Sequence, residues 1–365
     1  MKGYFDYVVN SALALRRLTS IHIENPEGTP YSMRPQMHLF VCQPFGTGKS
    51  AVFKQIKAAI DGDCEIVDDF TKPAFQGTVG KDRGYVPGIV NRIGGKVLCI
   101  DEWNSVTSDG RAALLSVLEN NSFNRNLGFS VKKEIKSVAD DWTNITVKDG
   151  NLFGSINFTC IAGAMYFPRV PGVPNDQERE EALLSRFTPY FRSFSVDDVL
   201  EMKDGKLYNG FEDNAPVDLR TVGIPGDCTY AIQEAYNQYI ETRKFEFTER
   251  QVGYISRVWV DFVRLGVANA IPKTQGEFVV LDDPAPFLQD MEWHLDNQFA
   301  MYTHKDTKTT EERFLALVAT TPNMAAKWYA NQLGVTTRTI DRYKTKNNIA
   351  WMKTGDEDES ETPEV

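Results

Sequence analysis

Short runs of consecutive apolar residues alternate with amphipathic stretches through the first half of the chain. HLFVC (His38 to Cys42), KVLCI (Lys96 to Ile100) and INFTCIAGA (Ile156 to Ala164) each read as one buried strand. Between them, Ser50 to Ile60 and Asp109 to Glu119 have helical spacing, with Leu114, Leu115 and Leu118 on one face. Continuous apolar strands alternating with helices imply an α/β fold, a parallel sheet with helices on both faces. Residues 1–36 read as a helix, Phe5 to Leu18, and a loop rich in Pro and Gly. After Asp197 the strand signals fade. Tyr230 to Arg243, Glu249 to Leu265 and Ala285 to Tyr302 read as helices. The expected organisation is 1–36 N-terminal helix and loop, 37–196 α/β core, 197–308 helical lid, 309–354 a small helical module and 355–365 an acidic disordered tail.

Composition changes this picture little, and charge changes it locally. The chain has 365 residues and a net charge of −10, which argues against a general affinity for polyanions. Thr321 to Thr354, however, carries six bases and one acid, Asp341, and a local basic patch can bind phosphates on an acidic protein. No apolar run is long enough to span a bilayer, and Met1 to Asn10 has no apolar core of a signal peptide. The expectation is a soluble cytoplasmic protein without membrane association. Five cysteines with no C-x-x-C pair, and four scattered histidines, argue against a zinc site.

The strongest chemical signal follows the first strand. Gln43-Pro44-Phe45-Gly46-Thr47-Gly48-Lys49-Ser50 fits G-x-x-x-x-G-K-[ST], with Gln43 in place of the first Gly. Gly46 and Gly48 let backbone N–H groups close around phosphate oxygens. Lys49 reaches the β- and γ-phosphates, Ser50 ligates Mg²⁺, and the helix N-terminus adds favourable partial charge. The alternative is a Gly-rich turn with a surface Lys. ATP and Mg²⁺ are therefore the expected ligands. Asp101 and Glu102 close the second strand, at the edge where open α/β sheets bind ligands. Asp101 is expected to hold Mg²⁺ through water, and Glu102 to orient and deprotonate the attacking water. The alternative is a helix-capping Asp beside a solvated Glu.

These residues, with GIVNRIGGKVLCIDEWNSV (Gly88 to Val106) and GRAALLSVLENNSF (Gly110 to Phe123), resemble the AAA+ ATPases. The closest likeness is to the minichromosome maintenance (MCM) helicase branch and related bacterial enhancer-binding activators. Ser185-Arg186-Phe187 is similar to the arginine-finger motif of MCM helicases, and TERQVGYISR (Thr248 to Arg257) looks like their sensor-2 helix, pointing to Arg250. The resemblance implies a P-loop AAA+ sheet, a ring, expected to be a hexamer, and ATP at each subunit interface. Arg186 would reach the neighbour's site; its alternative is an exposed Arg ending a helix that Asn175 and Glu178 begin. A polar sensor-1 residue is not evident at Gly163, Ala164 and Met165. Arg250, Arg257 and Arg264, spaced by seven, share a helix face that is either functional or a solvated basic face. SVKKEIKSV (Ser130 to Val138) alternates like a β-hairpin, and in the MCM branch such a hairpin contacts DNA. Lys132, Lys133 and Lys136 are the candidate contacts, with a solvated hairpin as the alternative.

AAKWYANQLGVTTRTIDRYKTKN (Ala325 to Asn347) has a helix-turn-helix pattern, with Ala330, Gly334, Val335, Ile340 and Tyr343 at small, turn and core positions. A second helix starting near Thr336 would offer Thr337, Arg338, Arg342 and Lys346 to DNA, although such shapes also dock proteins. The expected function is an ATP-hydrolysing motor acting on DNA, an MCM-like helicase or translocase for replication. The short stretch before the core fits a viral or mobile-element version. The alternatives are an ATP-switched DNA-binding regulator or loader acting with a replication or transcription partner, and a protein-remodelling ATPase.

Overall fold

The computed structural model describes residues 2–25, 28–43, 47–79, 85–126, 135–139, 142–148, 151–164, 186–191, 210–244, 246–247, 252–271, 276–303, 310–320, 322, 324–333, 335–347 and 349. The chain forms two compact units, one of residues 1–167 and 177–304, the other of 168–176 and 305–365.

The first unit is built on a five-stranded sheet. Its spatial order is Thr188–Phe191, Leu39–Cys42, Thr159–Ala164, Val97–Ile100, Cys64–Val67, and every pairing is parallel. Strand side chains alternate between faces, and both faces here are covered. Leu39, Val41, Val97, Cys99 and Ile161 join a core with Val52, Phe53 and Ile56 of the helix Lys49–Ala59. Phe40, Cys42, Leu98, Ile100 and Ala162 join a second core with Leu114, Val117 and Leu118 of the helix Ser108–Asn120. Continuous hydrophobicity in these strands is thus the signature of burial on both sides. All five cysteines are buried free thiols.

INFTCIAGA is not one strand. Asn151–Ile156 belongs to an antiparallel sheet with Ser122–Asn126, Thr143–Lys148 and Ile135–Ala139, while Thr159–Ala164 is parallel core. The chain changes sheets at Asn157, whose N–H donates to Trp142 O at 2.8 Å and whose carbonyl accepts from Gly95 N at 2.9 Å. Both segments are apolar, so hydrophobicity alone did not mark the break.

Residues 1–36 are not just helix and loop, and strands do not end at 197. Ser20–Ile23 pairs in parallel with Thr221–Ile224, which pairs in parallel with Phe278–Val280, and Tyr31–Met33 adds antiparallel to the first. The N-terminal helix Lys2–Leu15 contributes Tyr4, Phe5, Val8, Val9, Ala12 and Leu13 to the first core. Its buried neighbour Arg16 donates two hydrogen bonds of 2.7 Å to the carboxylate of Asp213. The helix expected over Ala285 to Tyr302 is two, Ala285–Leu288 and Met291–Thr303, separated at Asp290 with φ 52°.

The second unit contains the helices Thr310–Thr320, Ala326–Leu333 and Thr337–Lys346. They close over Phe314, Leu317, Tyr329, Ala330, Leu333 and Ile340, all buried. Thr336 caps the last helix, accepting from Thr339 N at 3.3 Å. Among the described residues no helix is long and apolar enough to cross a membrane.

Candidate functional site

The Gly-rich segment leaves the C-terminal end of Leu39–Cys42, between two parallel neighbours. Pro44, Phe45 and Gly46 lie outside the described residues. Gln43 is buried, its backbone N–H donates to Ala164 O at 3.1 Å, and its Nε2 donates to Thr47 O at 3.3 Å. Gln43 therefore closes the loop through its side chain at the position where the motif has Gly. Gly48 stands at φ 77°, ψ 29°, a left-handed conformation that favours Gly, and directly precedes the helix Lys49–Ala59. No side chain caps the first helical N–H groups.

Asp101 and Glu102 follow the strand Val97–Ile100, one strand removed from the loop. Ser50 Oγ donates to Asp101 Oδ2 at 2.5 Å, so the hydroxyl and the first carboxylate meet although 51 residues apart in sequence. Lys49 is half-buried beside them. Burial pulls its pKa below the ordinary lysine value, and the charges of Asp101 and Glu102 oppose that shift. Glu102 is exposed and accepts from Ser105 Oγ at 2.9 Å, while its carbonyl accepts Ser105 N at 2.9 Å in the short helix Trp103–Ser105. Ser105 was missed in the sequence. The signal was its spacing of three from Glu102, which only a helical turn makes meaningful.

Between loop and acids runs Thr159–Ala164, ending in small residues. A Cβ on Gly163 would stand 3.1 Å from Phe53 Cζ and 3.2 Å from Asp101 O, so the close approach of helix, strand and acid depends on Gly there. No polar side chain occupies the described end of this strand, and Met165 lies outside the described residues.

Arg186 is not at this edge. It immediately precedes Phe187 and the strand Thr188–Phe191, whose Thr188 pairs with Leu39, the first residue of the loop's own strand. From the level of Arg186 to that of Gln43 is a strand rise of ~20 Å, so Arg186 lies at the opposite, N-terminal edge of the sheet. Its Nε donates to Leu115 O at 3.1 Å, and its guanidinium pairs with Glu119. Asn175 and Glu178 lie outside the described residues.

Arg250 also lies outside the described residues. Arg257 and Arg264 do not form a solvated basic face: Arg264 is 7 % exposed, and both reach Asp261, which is fully buried. The carboxylate at spacings of four and three within one helix drew both arginines inward.

Lys132 and Lys133 lie outside the described residues. Lys136 is in Ile135–Ala139, an outer strand of the antiparallel sheet that pairs with Thr143–Lys148. In the second unit Thr337, Arg338 and Arg342 are exposed on the last helix, and the Arg342 guanidinium stands 5.3 Å from the Tyr343 ring centre. Lys346 is exposed but paired with Glu311 at 2.7 Å. Gly334 lies outside the described residues.

Among the described residues no group of three or more His, Cys, Asp or Glu could hold a metal ion. A hydroxyl and a carboxylate in contact, as at Ser50 and Asp101, make a sparse hard-oxygen pair, the kind of set that suits Mg²⁺ where phosphates and water complete its shell. Compared with known proteins, the sequence matches no protein family, and no curated protein matches it.

Proposed function

We propose that the chain is a Mg²⁺-dependent ATPase of the AAA+ type, resembling the MCM helicase branch. It would work as a ring on DNA, as a replicative helicase or translocase. The observation that carries the reading is the Ser50–Asp101 hydrogen bond at the C-terminal edge of a parallel sheet, beside a loop whose Gly48 is left-handed. Loop, helix N-terminus, Lys49 and acidic pair converge where an open α/β sheet binds ligands.

In this mechanism the ATP phosphates lie along the loop, with Lys49 against the β- and γ-phosphates. Ser50 and Asp101 would hold Mg²⁺, which would supply positive charge against the phosphates. Glu102, steadied by Ser105, orients a water toward the γ-phosphorus and takes its proton as the new P–O bond forms. The bond from the γ-phosphorus to the bridging oxygen breaks, and ADP carries that oxygen away. Arg186 of a second copy would stabilise the charge on the transferring group, a contribution of ~10³–10⁵ in rate. The exposed Thr337, Arg338 and Arg342 of a three-helix unit support the DNA part of the reading.

The test is ATP turnover by wild type and Glu102→Gln, with and without DNA at fixed salt. Glu102→Gln should bind ATP normally and lose ~10²–10⁴ in turnover. Wild-type turnover in that variant would remove Glu102 as the base. Strong stimulation of wild type by DNA supports the motor. Hydrolysis indifferent to DNA transfers the reading to an ATP-switched regulator or loader.

A further inference from the structure

Beside Arg186 opens a cavity of about 120 Å³, walled by Arg34, His38, Glu119, Arg186, Arg257 and Arg264. Its guanidinium groups come from three distant parts of the chain, and those of Arg34, Arg186 and Arg264 are each held by hydrogen bonds. Arg34 NH1 donates to Leu118 O at 2.5 Å and to Asn121 Oδ1 at 3.0 Å, gripping the C-terminal end of the helix Ser108–Asn120. Arg186 Nε holds Leu115 O of the same helix. Arg264 donates to Arg34 O at 3.0 Å and to Asp261 Oδ1 at 3.2 Å, and Arg257 stands 3.5 Å from that oxygen. Thr188 Oγ1 donates to the other oxygen of Asp261 at 2.7 Å.

Among the described residues, four guanidinium groups thus face two carboxylates, Asp261 and Glu119. His38 adds no charge: burial and the three arginines around it push its pKa well below the ordinary value, and its Nδ1 accepts from Cys160 N at 3.2 Å. Burial and the charge of Arg257 pull Arg264 down to about 10. Asp261 is fully buried and committed to the frame, whereas the Glu119 side chain is 53 % exposed and pairs with Arg186. Fixed guanidinium forks with an excess of positive charge suit a multiply charged oxyanion.

We propose that this cavity is an oxyanion site for a phosphoryl group, in which Arg257 and Arg34 act with Arg186, and that Glu119 is the internal anion the ligand displaces. The proposal deepens the ATPase reading and rests on it for the ligand's source, the nucleotide of a second copy. A nucleic-acid backbone phosphate has the same chemistry.

Inorganic phosphate is the probe, titrated at constant ionic strength into full-length Lys49→Ala, whose own loop lacks its lysine. Thermal denaturation is the readout, so hydrolysis is not involved. Phosphate should raise Tm in Lys49→Ala, and adding Arg257→Gln should weaken the apparent affinity by at least ~10-fold. Adding Glu119→Gln, at an exposed position, should tighten it several-fold. No phosphate-dependent shift in Lys49→Ala, or a shift that Arg257→Gln leaves intact, overturns the site. Unchanged affinity with Glu119→Gln overturns the displacement. Two further assays of Arg257→Gln alone separate the sources. Reduced ATP turnover with ATP binding intact assigns the ligand to a second copy's nucleotide. Full turnover with weakened DNA-oligonucleotide binding assigns it to a nucleic-acid backbone.

Discussion

His294 is 2 % exposed and packs among the rings of Tyr4, Tyr7 and Trp293. Burial pushes its pKa down to about 4, and the nearby Asp290 opposes this only in part. An unfolded chain binds a proton on this ring below about pH 6.5, while the native ring stays neutral to about pH 4. The unfolded state binds more protons in that window, so stability is full above about pH 6.5 and falls as pH drops toward 4. Its share of the loss is about 2 kcal/mol by pH 5. His38, buried and shifted in the same direction, adds to it. His294→Phe should therefore show a shallower drop in urea-unfolding stability between pH 7.5 and 5 than wild type. Equal drops in both proteins would mean this ring does not drive the acid sensitivity. The sequence offered only four scattered histidines and no means of telling which were buried. By contrast the placement of Gly48, Lys49 and Ser50 between a buried strand and a helix, and of Asp101 and Glu102 at the end of another strand, could be read, because local apolar runs mark those strands.

At the scale of elements, legibility followed the distance over which the information lies. The core strands could be read because burial on both faces forces unbroken apolar runs at Leu39–Cys42 and Val97–Ile100. Ser20–Ile23 and Thr221–Ile224 could not, because each is short and half polar and becomes a strand only through a partner about two hundred residues away. The same limit hid Arg34 and Glu119, whose roles arise where a helix end meets a loop and a strand start. Gly266 carries such non-local information inside the helix Ile255–Ala270, which holds Arg257, Asp261 and Arg264. A methyl at Gly266 would collide with the ring of Phe287, itself 1 % exposed, where the helix Ala285–Leu288 packs. Helix propensity favours Ala over Gly by about 1 kcal/mol, whereas overpacking costs ~1–3 kcal/mol. Gly266→Ala should therefore lower stability, and Gly266→Ala/Phe287→Leu should lose less than the two single changes summed. A stabilised single variant would show that the helix–helix contact yields easily.

For the whole molecule, the decisive relation is that loop and acids occupy one edge of the sheet and Arg186 the other. A strand rise of ~20 Å separates them, more than a side chain can bridge within one subunit. If Arg186 serves hydrolysis, it must serve a site on another copy, and each site must combine two different edges. Such an interface would be head-to-tail, which gives a ring where the rotation between copies closes. Arg186→Ala keeps a working loop and lacks the finger; Lys49→Ala keeps the finger and lacks a working loop. Each alone should be nearly inactive. In an equimolar, randomly mixed ring about one interface in four joins an intact loop to an intact Arg186, so the mixture should recover about a quarter of wild-type ATP turnover if interfaces fire independently. Cross-linking should first establish that the two variants share rings. With mixed rings in hand, turnover no greater than the mean of the separate variants would place Arg186 outside the reaction, and its pairing with Glu119 would then be a contact of the fold alone.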